Sequence, residues 1–339
     1  MHQTTPGKQL LISHFLVSGN YLLISRAHRV LQVFQISENL FSTWLDTIRM
    51  PRGFGRPCSG DVVAWRKCGL LQGMLDYMPD LNEIGLGHSD YEDIELEDAA
   101  VGTLLSGSHK GWKVVRLWSG FGRAAMDALS KHTPTLELLD IRGCDASLSR
   151  HLGQVLSSCA NLHSLLSTGY DMYDPPHYCA AIDYKAFIDL DPNTEVPKPW
   201  ECEGSLKKLK VVITGIPHSD LEEEDNVEGA YPDEGREIHG RVYDRLARFI
   251  NLETLWLGDY WSSGNFWGID MSLRSGLGKL SGLKKLREIG GLGWGRGVGV
   301  KEVQWMVANW PRLHLVLGLE DDEARAWLKE NTDVNVKLE

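Results

Sequence analysis

Six cysteines, twelve histidines and three runs of carboxylates are the side chains of this 339-residue sequence that would carry chemistry if their spacing allowed it. Cys58, Cys68, Cys144, Cys159, Cys179 and Cys202 include no C-x-x-C pair, so neither a zinc ribbon nor a dithiol redox motif is expected. The histidines form no H-E-x-x-H or H-x-H cluster for a metal, and no G-x-S-x-G turn presents a nucleophilic serine. Gly290–Gly299 holds six glycines, but no register reads G-x-G-x-x-G, and Gly278-Lys279 runs into Leu280 rather than Ser or Thr. A turn before a helix explains the run better than a phosphate loop. The carboxylates of Glu92–Asp98, Asp220–Glu234 and Glu320–Glu323 have no evident apolar enclosure to raise a pKa for general-acid work, so all three runs are expected to be solvated. The expectation is therefore no catalysis, no metal and no cofactor. A thiol-dependent activity around Cys144 and Cys159 is the remaining enzymatic alternative.

The elements that would position a binding surface are more informative. The chain has 47 leucines, and 42% of its residues are apolar. Leu136, Leu139 and Ile141 fit L-x-x-L-x-L, followed by Cys144 where a leucine-rich repeat takes Asn or Cys. Leu81, Trp112, Leu206 and Leu252 begin equally clear copies, and Leu162, Leu283 and Trp310 begin weaker ones. The short alternating run follows a segment of helical periodicity over 121–132, 147–160, 235–250 and 300–309. Each unit is a strand plus a helix, too small to bury its own apolar face, so units must stack. The predicted fold is an α/β leucine-rich-repeat solenoid: a curved horseshoe with parallel strands inside and helices outside. Residues 1–70 form an N-terminal cap or remnant and 71–339 the repeat domain, with insertions at 168–200 and 217–235. Leu10–Ser25 reads as two strands joined at Gly19-Asn20, since a span wants about 20 continuous apolar residues.

The segments TLELLDIRGCDASLSRHLGQVLSSCANLHSL, SLKKLKVVITGIP and LETLWLGDYW resemble the irregular repeats of fungal F-box/leucine-rich-repeat proteins, of the ribonuclease-inhibitor-like superfamily. The resemblance covers roughly residues 70–335. It implies the horseshoe fold and recognition of protein substrates for ubiquitin ligation. The family's F-box, a Leu-Pro-led helical module, has no recognisable counterpart in residues 1–70. A ubiquitin-ligase adaptor is thus a partner only if an F-box-like segment exists, and a scaffold without a ubiquitin role is the alternative.

Residues between the motif leucines should stand on the concave face. They include Arg116, Trp118, Asp140, Arg142, Lys208, Lys210, Trp256, Lys285, Arg287, Arg312 and His314, a set rich in base on a chain of net charge -11. Eight of the acids lie in the 217–235 insertion, with no Lys or Arg among them. A basic strip with Trp anchors suits an acidic or phosphorylated protein segment. The overall acidity argues against nucleic acid, and a soluble, monomeric protein of cytoplasm or nucleus is expected.

Overall fold

The computed structural model describes residues 22–25, 30–33, 82–86, 98–117, 122–141, 149–167, 181–191, 193, 197–216, 233–258, 269–291 and 297–337. Twelve strands form one open α/β sheet system: β1 Leu22–Ser25, β2 Val30–Val33, β3 Glu83–Leu86, β4 Val114–Leu117, β5 Leu138–Asp140, β6 Ser164–Leu166, β7 Ala181–Asp183, β8 Lys208–Thr214, β9 Thr254–Leu257, β10 Glu288–Gly290, β11 Leu315–Leu317 and β12 Asn335–Lys337. Pairing follows chain order from β1 to β12, with β7 set aside against the second half of β8. Only β1 and β2 run antiparallel. Between the parallel strands lie α1 Asp98–Ser106, α2 Arg123–Leu129, α3 Ser149–Ser158, α4 Tyr184–Ile188, α5 Asp233–Leu246, α6 Val300–Asn309 and α7 Asp322–Asn331.

Parallel strands need crossovers, and the helices supply most of those described, with the 3-10 turns Leu273–Ser275 and Leu277–Gly282 taking their place between β9 and β10. Ile84, Val115, Leu139, Leu165, Leu209, Leu255, Ile289 and Val316 align in register across β3–β11 and are buried. They share one core with helix residues such as Leu105, Leu129, Leu152, Leu246 and Met306. Alternation along each strand sends the flanking residues to the face opposite the helices.

Each of the eight leucine motifs contains a strand, but two were read in the wrong register. Ile289 pairs with Leu255, and Val316 with Ile289. The last two motifs therefore begin at Leu286 and Leu313, three residues beyond Leu283 and Trp310. They end on Gly291 and Gly318, both at φ 74°, instead of on a leucine. Leu22–Ser25 pairs with Val30–Val33, which β3 holds on its other side, and the strand expected across Gly19-Asn20 is not among the described residues. Residues 10–21 lie outside the described residues. Within the first insertion, strand-like alternation over 181–190 is cut short after Asp183, whose carboxylate accepts the Lys185 N–H (2.8 Å) and starts α4.

Asp98 also departs from expectation. It closes a run expected to be solvated, yet its carboxylate accepts the N–H groups of Gly122, Ala124 and Ala125 at 2.9, 2.7 and 2.9 Å. It thereby satisfies the otherwise unpaired donors at the start of α2. A Cβ on Gly102 would lie 2.8 Å from the Ala124 carbonyl, so glycine there lets α1 and α2 pack backbone to backbone.

Candidate functional site

The site is built from the outward positions of the central strands. On β4, β5, β8 and β9 one register column holds Arg116, Asp140, Lys210 and Trp256, and the column two residues earlier holds Val114, Leu138, Lys208 and Thr254. Lys210 Nζ stands 4.3 Å from the centre of the Trp256 ring, within range of a cation–π contact. The ring lies over β10 because position 290 is glycine: a Cβ there would come 2.8 Å from the indole. Trp256 is only 6% exposed and Asp140 1%, whereas Lys208 is exposed and Arg116 and Lys210 are half-buried. Beside them Thr254 Oγ1 donates to Glu288 (3.1 Å).

Trp118 and Arg142 lie outside the described residues, as do Cys144, the aromatic run 260–267 and the acidic stretch 217–232. Lys285, Arg287, Arg312 and His314 are described, and they are not on this face. The corrected register explains why. Lys285 and Arg312 occupy the position just before the first motif leucine, equivalent to Thr135, Asn161, Ser205 and Asn251. That column ties each motif to the one before: Thr135 Oγ1 donates to the Trp112 carbonyl, Asn161 to Pro134, Ser205 Oγ to Leu162 and Asn251 to Gly204. Lys285 joins it through a 2.6 Å bond to Asn251 Oδ1. Arg287 and His314 occupy the position just after that leucine. There a backbone ladder runs Lys113–Glu137–His163–Lys207–Glu253–Arg287–His314, each carbonyl accepting the N–H of the next. Outward positions of the described strands thus carry Arg116, Lys208, Lys210 and Lys337 against Glu83, Asp140 and Glu288. The strip is close to neutral, with its base concentrated on β8.

A second charged cluster escaped the sequence reading. Arg245, in the last turn of α5, is fully buried. It donates to the carbonyls of Ile188 and Lys198 and to Glu203 (3.0 Å), and stacks 4.4 Å over Trp200. Arg248 reaches the same Glu203 oxygen (3.0 Å) and the Pro197 carbonyl. Burial and the neighbouring Arg248 pull the Arg245 pKa down while Glu203 opposes them. The spacing of the two arginines, one helical turn's worth of residues before Asn251-Leu252, was the available signal.

The buried thiols of Cys159 and Cys202 are free, and burial pushes both up to about 12, far from a reactive thiolate. Among the described residues no cluster of His, Cys, Asp and Glu could hold a metal, and no helix is long and apolar enough to cross a membrane.

Neither a family model nor a curated protein matches the chain. Among solved structures, the crystal structure of the Rad7 and Elc1 complex in yeast aligns with a TM-score of 0.37 at 10% identity, covering 79% of this chain and 70% of that one. At that score the likeness is loose, and the description of the fold stands on the strand pairing itself.

Proposed function

We propose that the chain is a leucine-rich-repeat solenoid that works by binding protein, without catalysis, and that an acidic or phosphorylated segment of the partner lies across the face formed by β4–β9. The observation that carries this reading is the contact of Lys210 on β8 with the Trp256 indole on β9, seated against Gly290, with the exposed Lys208 two residues earlier on the same strand face. Tryptophan is a residue type in which interface energy concentrates, and Lys210 over its ring supplies charge for a carboxylate or phosphate. The core position and high pKa of Cys159 speak for a binding role over a thiol enzyme.

The resemblance of the repeats to F-box/leucine-rich-repeat proteins supports substrate recognition for ubiquitin ligation as the setting. A scaffold outside that pathway is the second reading. Affinity capture from cell extract with the full chain as bait separates the two. A ubiquitin-ligase adaptor retained together with a cargo protein is the expected result for the first reading. Cargo without adaptor, across salt conditions, leaves the scaffold. No retained protein at all would contradict both.

A further inference from the structure

The four basic residues that the register correction removes from the sheet face gather at its N-terminal rim, where β8–β11 begin. Along the backbone ladder Lys207, Glu253, Arg287 and His314 are successive neighbours, about 4.8 Å apart. Arg312 and Lys285 lie two residues before His314 and Arg287, and Lys208 follows Lys207. Lys207, Lys208, Lys284, Lys285, Arg287, Arg312 and His314 are all exposed. Some of this charge is spent within the fold: Lys284 donates to the Asn309 carbonyl at the end of α6 (2.9 Å), and Lys285 to Asn251. Lys207, Arg287 and Arg312 make no ion pair among the described residues. Immediately beside Asn251 sits Ile250, 59% exposed, the one large hydrophobic so displayed among the described residues. Base in excess of Glu253 and Glu288, the latter 4.0 Å from His314, and an exposed aliphatic side chain thus meet on one edge.

We propose that this rim is a second interaction surface, fitted to an acidic protein segment that carries an apolar side chain for Ile250. Glu253 and Glu288, both half-buried on the same strands, interrupt the positive charge. A continuous phosphate backbone would meet them as repulsion, whereas a peptide can place neutral or basic residues opposite them. Ile250 adds an apolar contact that a phosphate backbone has no group to fill. The rim adjoins the Lys210–Trp256 face through Lys208, so the test leaves Lys208, Lys210 and Trp256 unaltered.

The test uses the full chain and a fluorescent glutamate-rich peptide with one central leucine, read by anisotropy. The wild type should bind it in a salt-sensitive manner. Combined Lys207→Glu, Arg287→Glu and Arg312→Glu should weaken binding about tenfold or more, with an unchanged melting temperature. Ile250→Ser should erase the preference for this peptide over its leucine-free counterpart. Lys301→Glu with Lys329→Glu, exposed on α6 and α7, should leave the affinity intact. Equal affinity in the triple variant would overturn the proposal, as would an equal loss of binding in this helix variant. Tighter binding of an oligothymidylate of equal charge would overturn it in favour of nucleic acid.

Discussion

Arg245 and Arg287 are one residue type put to opposite uses. Arg245 is sealed between α5 and the 188–203 segment, donating to Ile188, Lys198 and Glu203 and stacking on Trp200. Arg287 sits on a ladder of short motifs with its charge turned to solvent. The contrast shows that charge in this protein divides into a part buried against the 188–203 segment and a part turned to solvent. Composition counts both alike, and only the register tells them apart.

The comparison breaks most readily at the buried end. Arg245→Met removes the donors to two carbonyls and one of the two guanidinium partners of the mostly buried Glu203 carboxylate. The expected cost is about 3 kcal/mol or more, read as a lowered urea midpoint, whereas Arg287→Met should leave the midpoint unchanged. Comparable midpoints for the two variants would erase the distinction. A smaller effect is expected from Asp98→Ala, which frees three N–H groups at the start of α2: about 1–2 kcal/mol, only partly recovered by Asp98→Asn, which keeps one of the two accepting oxygens.

His132 sharpens the comparison through pH. It is buried, its ring nitrogen 2.7 Å from the Leu105 carbonyl, and burial lowers its pKa against the weaker raising effect of that bond. Because the folded state holds this proton less well than the unfolded chain, the contribution is complete well above about pH 6.5 and is lost as pH falls below it. Urea midpoints at neutral and mildly acidic pH should diverge in the wild type and converge in His132→Gln. Divergence of equal size in the variant would remove His132 from the account.

Much of the scaffold was legible because burial imposes a simple period. The leucine spacing located a strand in all eight motifs, and the helical face of Ser147–Ala160 corresponds to α3. The errors have local causes. Leu280, Leu283, Leu286 and Ile289 are all three apart, so spacing alone fits several registers, and only pairing with β9 selects Leu286. The same ambiguity affects Trp310, Leu313 and Val316. Positive-φ glycines closing both motifs were the overlooked sign. Helix α1 was missed because its close packing on α2 rests on Gly102 and Asp98, neither a strong helix signal. Strand β12, Asn335–Lys337, carries little apolar patterning and is held by β11. For the site, Lys208, Lys210 and Trp256 were found from alternation. The seating of Trp256 on Gly290 was not, since it joins two motifs across space.

The most direct measurement compares binding of a captured partner's acidic segment, in phosphorylated and unphosphorylated form, to the wild type and to Lys208→Glu/Lys210→Glu. The account requires the phosphorylated form to bind the wild type more tightly. It requires the variant to lose about tenfold or more in affinity with no change in melting temperature. Equal affinity of the two proteins for the same segment would contradict it.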